Sequence, residues 1–346
     1  MRVAIIEPPL MGHMLRGTGV YTRNLARALE DVTDMEIVMS EIESLPKNVD
    51  LYHFPYFDPF FRTLPVIRNK PTVVTVHDLT PIRFPEHFPR GIKGELKWQL
   101  QKYILRGIEA VITDSQASKV DVEKFVGLDP QKIHSVYLAP EPEFFEKRDK
   151  SEKENIRKKY QLPGKFAIYT GEVNWNKNLP NIIKAATLAK IHLLIISKSF
   201  IEKHEESYNP WKDSLLESQT LARNNPWVKG LGYVKLSELV TIYQMASVLL
   251  LPSYYEGFGL PVVEAFASGC PVITSDKGSL GEVAAGASLI VEPDDVSGMA
   301  KAIHSILTDQ ELGRKLIKKG KNKLSQFTWK KTADQTFNVY NSVLDK

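Results

Sequence analysis

The sequence predicts an α/β protein made of two doubly wound, Rossmann-like domains, each built on a parallel sheet. Three observations carry this. Short apolar runs recur along the whole chain, among them Val3–Ile6, Thr72–Val76, Phe166–Thr170 and Val248–Leu251. They do not alternate with polar residues, which suits strands buried on both faces. Helix-length stretches separate them, and strands alternating with helices build parallel sheets. Glycine-bearing loops follow several of the runs, at the strand ends where such sheets bind ligands. The length of 346 residues suits two domains, at about 150 residues each.

In the first half, strands are expected at Val3–Ile6, Met35–Ser40, Asp50–Phe54, Thr72–Val76, Ala110–Thr113 and Ile133–Tyr137. The long loop Glu7–Gly19 carries Gly12, Gly17 and Gly19 and leads into a helix over Val20–Glu30. Its spacing departs from G-x-G-x-x-G, because Tyr21 and Thr22 stand where a third glycine would be, so a dinucleotide site is not expected there. Gly91–Ala110 reads as a helix mixing Trp98, Leu100, Ile104 and Leu105 with Lys93, Lys97, Lys102 and Arg106. Such a helix either lies on an anionic membrane or turns a core stripe inward and a basic face to water. Ser115 is placed as the N-cap of the next helix.

Residues 147–159 are dense in charge and read as a linker with a solvated helix, which sets the domain boundary near Pro163-Gly164. The first domain is then 1–162 and the second 163–328. In the second, strands are expected at Phe166–Thr170, Ile191–Ser197, Val228–Leu231, Ser247–Leu251, Pro271–Thr274 and Ala287–Val291. Helices follow Leu179, Ser237-Glu238 (read as the cap), Leu260, Val296, Glu311 and Phe327.

Composition narrows the function classes. A hydrophobic content of 43% and a charged content of 25% are ordinary for a soluble globular protein. A net charge of +4 is too mild to argue for nucleic acid. The single cysteine, Cys270, reads as a core residue and cannot form an internal disulfide, which fits a reducing, cytoplasmic setting. No apolar run reaches the length of a membrane span, and the N-terminus reads as a strand rather than a signal peptide. Metal-ligand spacings such as CxxC or HExxH are absent, so no metal is expected.

The densest chemical signal is Leu251–Glu282, LPSYYEGFGLPVVEAFASGCPVITSDKGSLGE. A strand end is followed by a loop carrying Glu256, Gly257 and Gly259, then a helix from Leu260 with Pro261 in its first turn, where the missing N–H costs little. Gly269 suits the helix C-terminus. Glycines let backbone N–H groups approach a phosphate, and a helix N-terminus favours its charge. Glu256 before the helix and Glu264 within it can face one ligand from different depths. Lys177 lies just before the helix that starts at Leu179, where an ammonium group can pair with a phosphate. His77, at the end of the strand Thr72–Val76, is well placed for a ligand or, as plainly, for capping its loop through Asp78.

The string E-G-F-G-L-P-x-x-E-A-x-A-x-G-x-P-V-I closely resembles the donor-sugar motif of the retaining GT-B glycosyltransferases of family 4, the group 1 glycosyltransferases. T-V-H-D-L-T-P-x-R-F-P-E, from Thr75, looks like the acceptor-side motif of their mannosyltransferase-like members, and Gly232-Tyr233-Val234 resembles the run around the base pocket. The resemblance implies two domains facing across a cleft. It also implies a last helix, 329–346, that crosses back to the first domain after the hinge-like Phe327-Thr328-Trp329. It implies a nucleoside diphosphate sugar as donor, GDP-mannose first, with Glu256 and His77 at the sugar and Glu264 at the ribose. Gly17, Gly19, Gly257, Phe258, Gly259, Leu260 and Tyr233 would complete the donor site, and Arg83 and Glu86 would hold the His77 loop in shape. The acceptor would be a glycan or a lipid-linked sugar, and no cofactor is implied.

The chain departs from the family in places. Trp175 and Asn176 stand where relatives show Pro and Arg before Lys-Asn, Glu172 follows the glycine where some carry Arg, and Leu138–Pro142 replaces N-G-V-D. A sugar-nucleotide-binding protein with weak or no transferase activity, or a GT-B epimerase, are the rival expectations. A phosphorylase would need a pyridoxal lysine, and none is identified.

Overall fold

The computed structural model describes residues 1–8, 17–202 and 209–345. They group into two units, Met1–Ala139 with Gln326–Lys346, and Pro140–Ser325.

In the first unit, the strands are β1 (Arg2–Ile6), β2 (Glu36–Ser40), β3 (Leu51–Phe54), β4 (Thr72–Val76), β5 (Ala110–Thr113) and β6 (Ile133–Ser135). They pair in the order β2-β1-β3-β4-β5-β6, parallel throughout. β3, β4 and β5 are buried at every residue, as their largely apolar runs suit when helices cover both faces. The helix α1 (Gly17–Val32) follows β1 and buries Tyr21, Leu25, Ala28 and Leu29. It starts earlier than the sequence suggested, so Gly17 and Gly19 sit in its first turn rather than in a loop. Gly12 lies outside the described residues.

The helix α2 (Gly91–Arg106) stops short of Ala110, at Gly107. Trp98, Ile104 and Leu105 are buried in the core of the unit. The core-stripe alternative therefore holds for these three, and Trp98 is not available to a membrane. Ser115 caps the next helix as expected, its hydroxyl accepting from the Ser118 N–H at 3.0 Å.

The second unit contains α3 (Lys150–Tyr160), β7 (Phe166–Thr170), α4 (Leu179–Leu188), β8 (His192–Ile196), β9 (Val228–Gly230) and α5 (Leu236–Met245). It continues through β10 (Val248–Leu251), α6 (Leu260–Ser268), β11 (Val272–Thr274), β12 (Leu289–Ile290), α7 (Val296–Thr308) and α8 (Gln310–Lys323). Its sheet runs β12-β11-β10-β7-β8-β9, again all parallel. Read from β9 this is the doubly wound order, and it reverses between β7 and β10.

The charged α3 buries no residue and starts with a capping box between Asp149 and Glu152. It packs on α5 in the second unit, so residues 140–162 group there rather than with the first domain as the sequence suggested. Glu238 does not cap α5. Its carboxylate accepts instead from Lys159 Nζ at 2.5 Å and from the Tyr160 hydroxyl at 2.7 Å. Cys270 is buried, and burial pushes its thiol far above the usual range, which leaves it inert core.

The last helix, α9 (Trp329–Leu344), belongs to the first unit and packs along α1. It buries Thr332, Ala333, Thr336, Val339, Tyr340 and Val343, one face at helical spacing. Tyr340 contributes a polar anchor as well: its hydroxyl lies 2.6 Å from His53 Nδ1, and His53 Nε2 lies 2.8 Å from Thr75 Oγ1.

Candidate active site

In an open parallel sheet the ligand crevice lies beyond the carboxyl ends of the strands where the order reverses. In the second unit those strands are β7 and β10, and the loops after them carry Lys177 and Glu256. Lys177 Nζ lies 2.5 Å from Glu256 Oε2. The Ser253 hydroxyl donates to the other oxygen, Oε1, at 2.7 Å. The Glu256 side chain is 5% exposed and that of Lys177 20%, so the pair is largely shielded from water, the lysine less so than the glutamate.

The two loops are braced against each other. The Asn176 side chain donates to the Tyr255 carbonyl at 2.9 Å, and the Tyr254 N–H donates to the Asn176 carbonyl at 2.8 Å. Asn178, in the left-handed region at φ 58°, donates to the carbonyls of Pro252 at 3.0 Å and Pro293 at 2.7 Å. Trp175 stacks on Tyr254 with centroids 4.8 Å apart and planes 6° from parallel. The departures at Trp175 and Asn176 thus form a strut between the loops that hold Lys177 and Glu256. The backbone of Glu256 is pinned too, its carbonyl accepting from the N–H and hydroxyl of Ser279 at 3.1 and 3.0 Å. Gly278 makes this approach feasible: a Cβ there would meet the Glu256 carbonyl oxygen at 2.6 Å, and its φ is +58°.

Gly257, Phe258 and Gly259 are buried in the same loop, and Leu260 opens α6. Gly259, at φ 90°, is the residue before the helix, and no side chain caps that end. Two helix N-termini therefore adjoin the pair, α4 directly after Lys177 and Asn178, and α6 after Glu256. Glu264 lies on α6. Its Oε2 accepts from the Tyr243 hydroxyl at 2.9 Å, and Tyr243 in turn lies 2.9 Å from Thr170 Oγ1 at the end of β7. Burial, opposed by the Tyr243 hydrogen bond and aided by the charge of Glu141, pushes its carboxyl up to about 7. Glu264 therefore accepts hydrogen bonds as a carboxylate only as pH rises through that value. Tyr233 is far less enclosed: it follows β9, the edge strand, and is 70% exposed.

His77 follows β4 in the first unit. Its Nδ1 lies 2.7 Å from Asp114 Oδ2 and its Nε2 3.1 Å from the Pro55 carbonyl oxygen. Asp78 does not bond it; Asp78 Oδ1 accepts from the Thr80 N–H at 2.8 Å. Arg83 holds the loop through Asp121 at 2.5 Å, whereas Glu86 is exposed and no nearer than 4.0 Å to His87. Gly17 and Gly19 belong to the same unit, on α1.

Sequence reading missed Ser253, Tyr243 and Asp114. Asp114 directly follows the apolar run Ala110–Thr113, a strand-end position that could have drawn attention. Ser253 and Tyr243 gave no signal in the chain. Among the described residues, no group of three or more His, Cys, Asp or Glu side chains is placed to hold a metal ion.

Residues 152–323 match the family model described as glycosyl transferases group 1, and residues 38–143 match that of glycosyltransferase family 4. The chain belongs to the group 1 glycosyltransferases. Relatives in the family include O-antigen chain mannosyltransferase B of Escherichia coli, 28% identical over 84% of this chain and 74% of that protein. O-antigen chain mannosyltransferase RfbU of Salmonella typhimurium is 29% identical over 70% of this chain and 62% of its own length. Among solved structures, sucrose-phosphate synthase of Thermosynechococcus elongatus aligns with TM-score 0.74 at 19% identity, covering 100% of this chain and 99% of its own. HepE of Anabaena, in complex with UDP and glucose, aligns with TM-score 0.73 at 16% identity over 99% of this chain and 100% of its own. At these identities the structures show the fold, the two-domain GT-B fold of glycosyltransferases.

Proposed function

We propose that this group 1 glycosyltransferase moves a mannosyl group from GDP-mannose to a glycan or lipid-linked acceptor, with retention at the anomeric carbon and without a metal. The observation that carries the reading is the Lys177–Glu256 pair at the reversal point of the second sheet. The choice of mannose rests on the mannosyltransferases among the relatives. In transfer the bond from the anomeric carbon to the diphosphate oxygen breaks, and its electron pair goes to the phosphate. The acceptor oxygen bonds to that carbon on the same face, and its proton passes to the departing phosphate. Negative charge thus grows on the diphosphate, and Lys177 with the N-termini of α4 and α6 would meet it. Glu256, released from Lys177 by the diphosphate, would accept from sugar hydroxyls, and Glu264 from the ribose. His77, Gly17, Gly19, Gly257, Phe258, Gly259, Leu260 and Tyr233 would complete the donor site.

Calorimetry with GDP-mannose, UDP-glucose and ADP-glucose tests this. GDP-mannose is expected to bind most tightly, and Lys177→Ala to weaken the intact donor and free GDP alike by at least tenfold, since both carry the diphosphate. Equal binding of free GDP to wild type and variant would reduce Lys177 to a structural partner of Glu256. Donor hydrolysis without acceptor would separate a transferase from a binding protein.

Attachment to the anionic inner face of a membrane belongs to the same proposal. Among the described residues no helix is long and apolar enough to cross a bilayer. The outer face of α2, however, presents Ile92 (83% exposed), Leu96 (66%), Leu100 (49%) and Tyr103 (74%), one continuous stripe at helical spacing. Lys93 and Lys97 are exposed beside it. Apolar side chains that insert and lysines that pair with lipid headgroups suit an interfacial helix, each lysine adding about 1 kcal/mol. Sedimentation is expected to show binding to vesicles containing phosphatidylglycerol but not to neutral ones, reduced by Lys93→Glu with Lys97→Glu and weakened by salt. Absence of binding to both vesicle types would favour a soluble glycan acceptor.

A further inference from the structure

In the first sheet, three neighbouring strands end side by side. Phe54 of β3 pairs with Val74 of β4, and Val76 of β4 with Thr113 of β5. Of the residues that follow these strands, His77 is level with Asp114, and Pro55 lies two residues behind, level with Thr75, so all three gather at the carboxyl ends. His77 is clamped by the other two, with Nδ1 2.7 Å from Asp114 Oδ2 and Nε2 3.1 Å from the Pro55 carbonyl oxygen. A carbonyl oxygen can only accept, so Nε2 carries a hydrogen. Asp114, when ionised, can only accept, so Nδ1 then carries one as well. An imidazole ring with both nitrogens protonated is a cation.

The surroundings agree. The Asp114 side chain is 4% exposed, and its second oxygen accepts no hydrogen bond among the described residues, so its charge is met chiefly by His77. Ser118 donates to the His77 carbonyl at 2.9 Å and holds the backbone. Four titratable groups face the ring: Asp114 after β5, Asp78 beside it in its own loop, His53 on β3 and Tyr21 on α1, edge-on with centroids 5.0 Å apart. Burial works against a charged ring at position 77, but the Asp114 and Asp78 charges, with the hydrogen bonds to Asp114 and Pro55, outweigh it and the pKa is raised; burial also pushes the Asp114 carboxyl up, against the pull of the His77 charge and hydrogen bond. Burial first, and then the charge of His77, push His53 down to about 3, so that ring stays neutral.

The geometry points to Asp114 as the positioning residue that keeps His77 an imidazolium, so that its Nε2–H can pass from the Pro55 carbonyl to a hydroxyl of the transferred sugar. The hand-over rests on the proposed sugar-facing role of His77; the ion pair does not. The Pro55 contact is the longer of the two, and a charged donor makes a shorter and stronger hydrogen bond than a neutral one. Without the Asp114 charge, the ring holds one proton for two sites, and whatever share of it stays on Nδ1 leaves Nε2 bare, an acceptor where the site needs a donor. The competent form is the charged one. It is present below the raised pKa of His77 and lost as pH rises through it.

Nitrogen-15 NMR of the histidine-labelled full chain reads the ring directly, His77 being identified by its absence in His77→Gln. Both His77 nitrogens are expected to be protonated at pH 7.5 in wild type, and only one in Asp114→Asn, which keeps an acceptor for Nδ1 but removes the charge. A neutral ring in wild type, or a ring still charged in Asp114→Asn, overturns the assignment. In transfer assays the alkaline limb of kcat/KM is expected to move at least tenfold in proton concentration toward acid in Asp114→Asn and to stay in place in Asp114→Glu, with unchanged circular dichroism. An unshifted limb in Asp114→Asn, or wild-type turnover in His77→Gln, overturns the hand-over, while the NMR result decides the ion pair separately.

Discussion

Glu256→Gln is expected to lower turnover by a factor on the order of 10², the usual loss when a positioned polar group at the reacting centre is removed. The carboxylate is held from both sides, by Lys177 and by Ser253, and its backbone carbonyl is held by Ser279. The amide keeps the volume and can still accept from Ser253, but it no longer carries a charge for Lys177. Removing one member of a buried ion pair can cost about 3–5 kcal/mol. Here the Lys177 side chain left behind is 20% exposed rather than fully buried, so the folding cost is expected to fall below that range. Steady-state kinetics with GDP-mannose beside a thermal melt checks both parts. Wild-type turnover would remove Glu256 from the chemistry.

A chain ended after Gln326 is expected to lose the fold of its first unit. Removing α9 uncovers the face of α1 that it packs against and discards the buried Val339, Tyr340 and Val343. Each such side chain is worth about 1.5–3 kcal/mol of burial. The cut also removes the Tyr340 hydroxyl from His53 Nδ1 and the Thr332 hydroxyl from the Tyr137 carbonyl. A buried polar group left without a partner costs about 1–3 kcal/mol. Together these approach the whole stability of an ordinary domain, about 5–15 kcal/mol. Tyr340→Phe isolates the polar part: it keeps the ring, leaves His53 Nδ1 unpaired and should lower the melting temperature without abolishing folding. A truncated chain that melts like wild type would show that α9 is dispensable.

Much of the fold was legible in the chain because parallel strands buried on both faces must be continuously apolar. Twelve strands were expected, and twelve are present among the described residues, with Thr72–Val76, Ala110–Thr113 and Phe166–Thr170 matched to the residue. The ends of others shifted because a parallel strand stops where its neighbour stops pairing, which no local run records. Trp98 shows the same limit on a helix: the periodicity of Gly91–Arg106 fits either an inward or a membrane-facing tryptophan, and only the packing of α2 turned it inward. Ile92, Leu96, Leu100 and Tyr103 then occupied the outer face.

The sequence by itself determined the chemical inventory and its local setting: Lys177 before a helix, Glu256 in a glycine loop, Glu264 one helix later, His77 at a strand end. Those are short-range facts, set by residues within a few positions of each other. The tertiary structure decided which of them meet. Lys177 and Glu256 are 79 residues apart and touch because β7 and β10 became neighbours at the point where the strand order reverses. His77 and Asp114 are 37 residues apart and touch because Val76 pairs with Thr113. Strand order and register are set by how whole helices and strands bury their apolar faces together, and that sum over distant contacts is written in no single stretch of the chain.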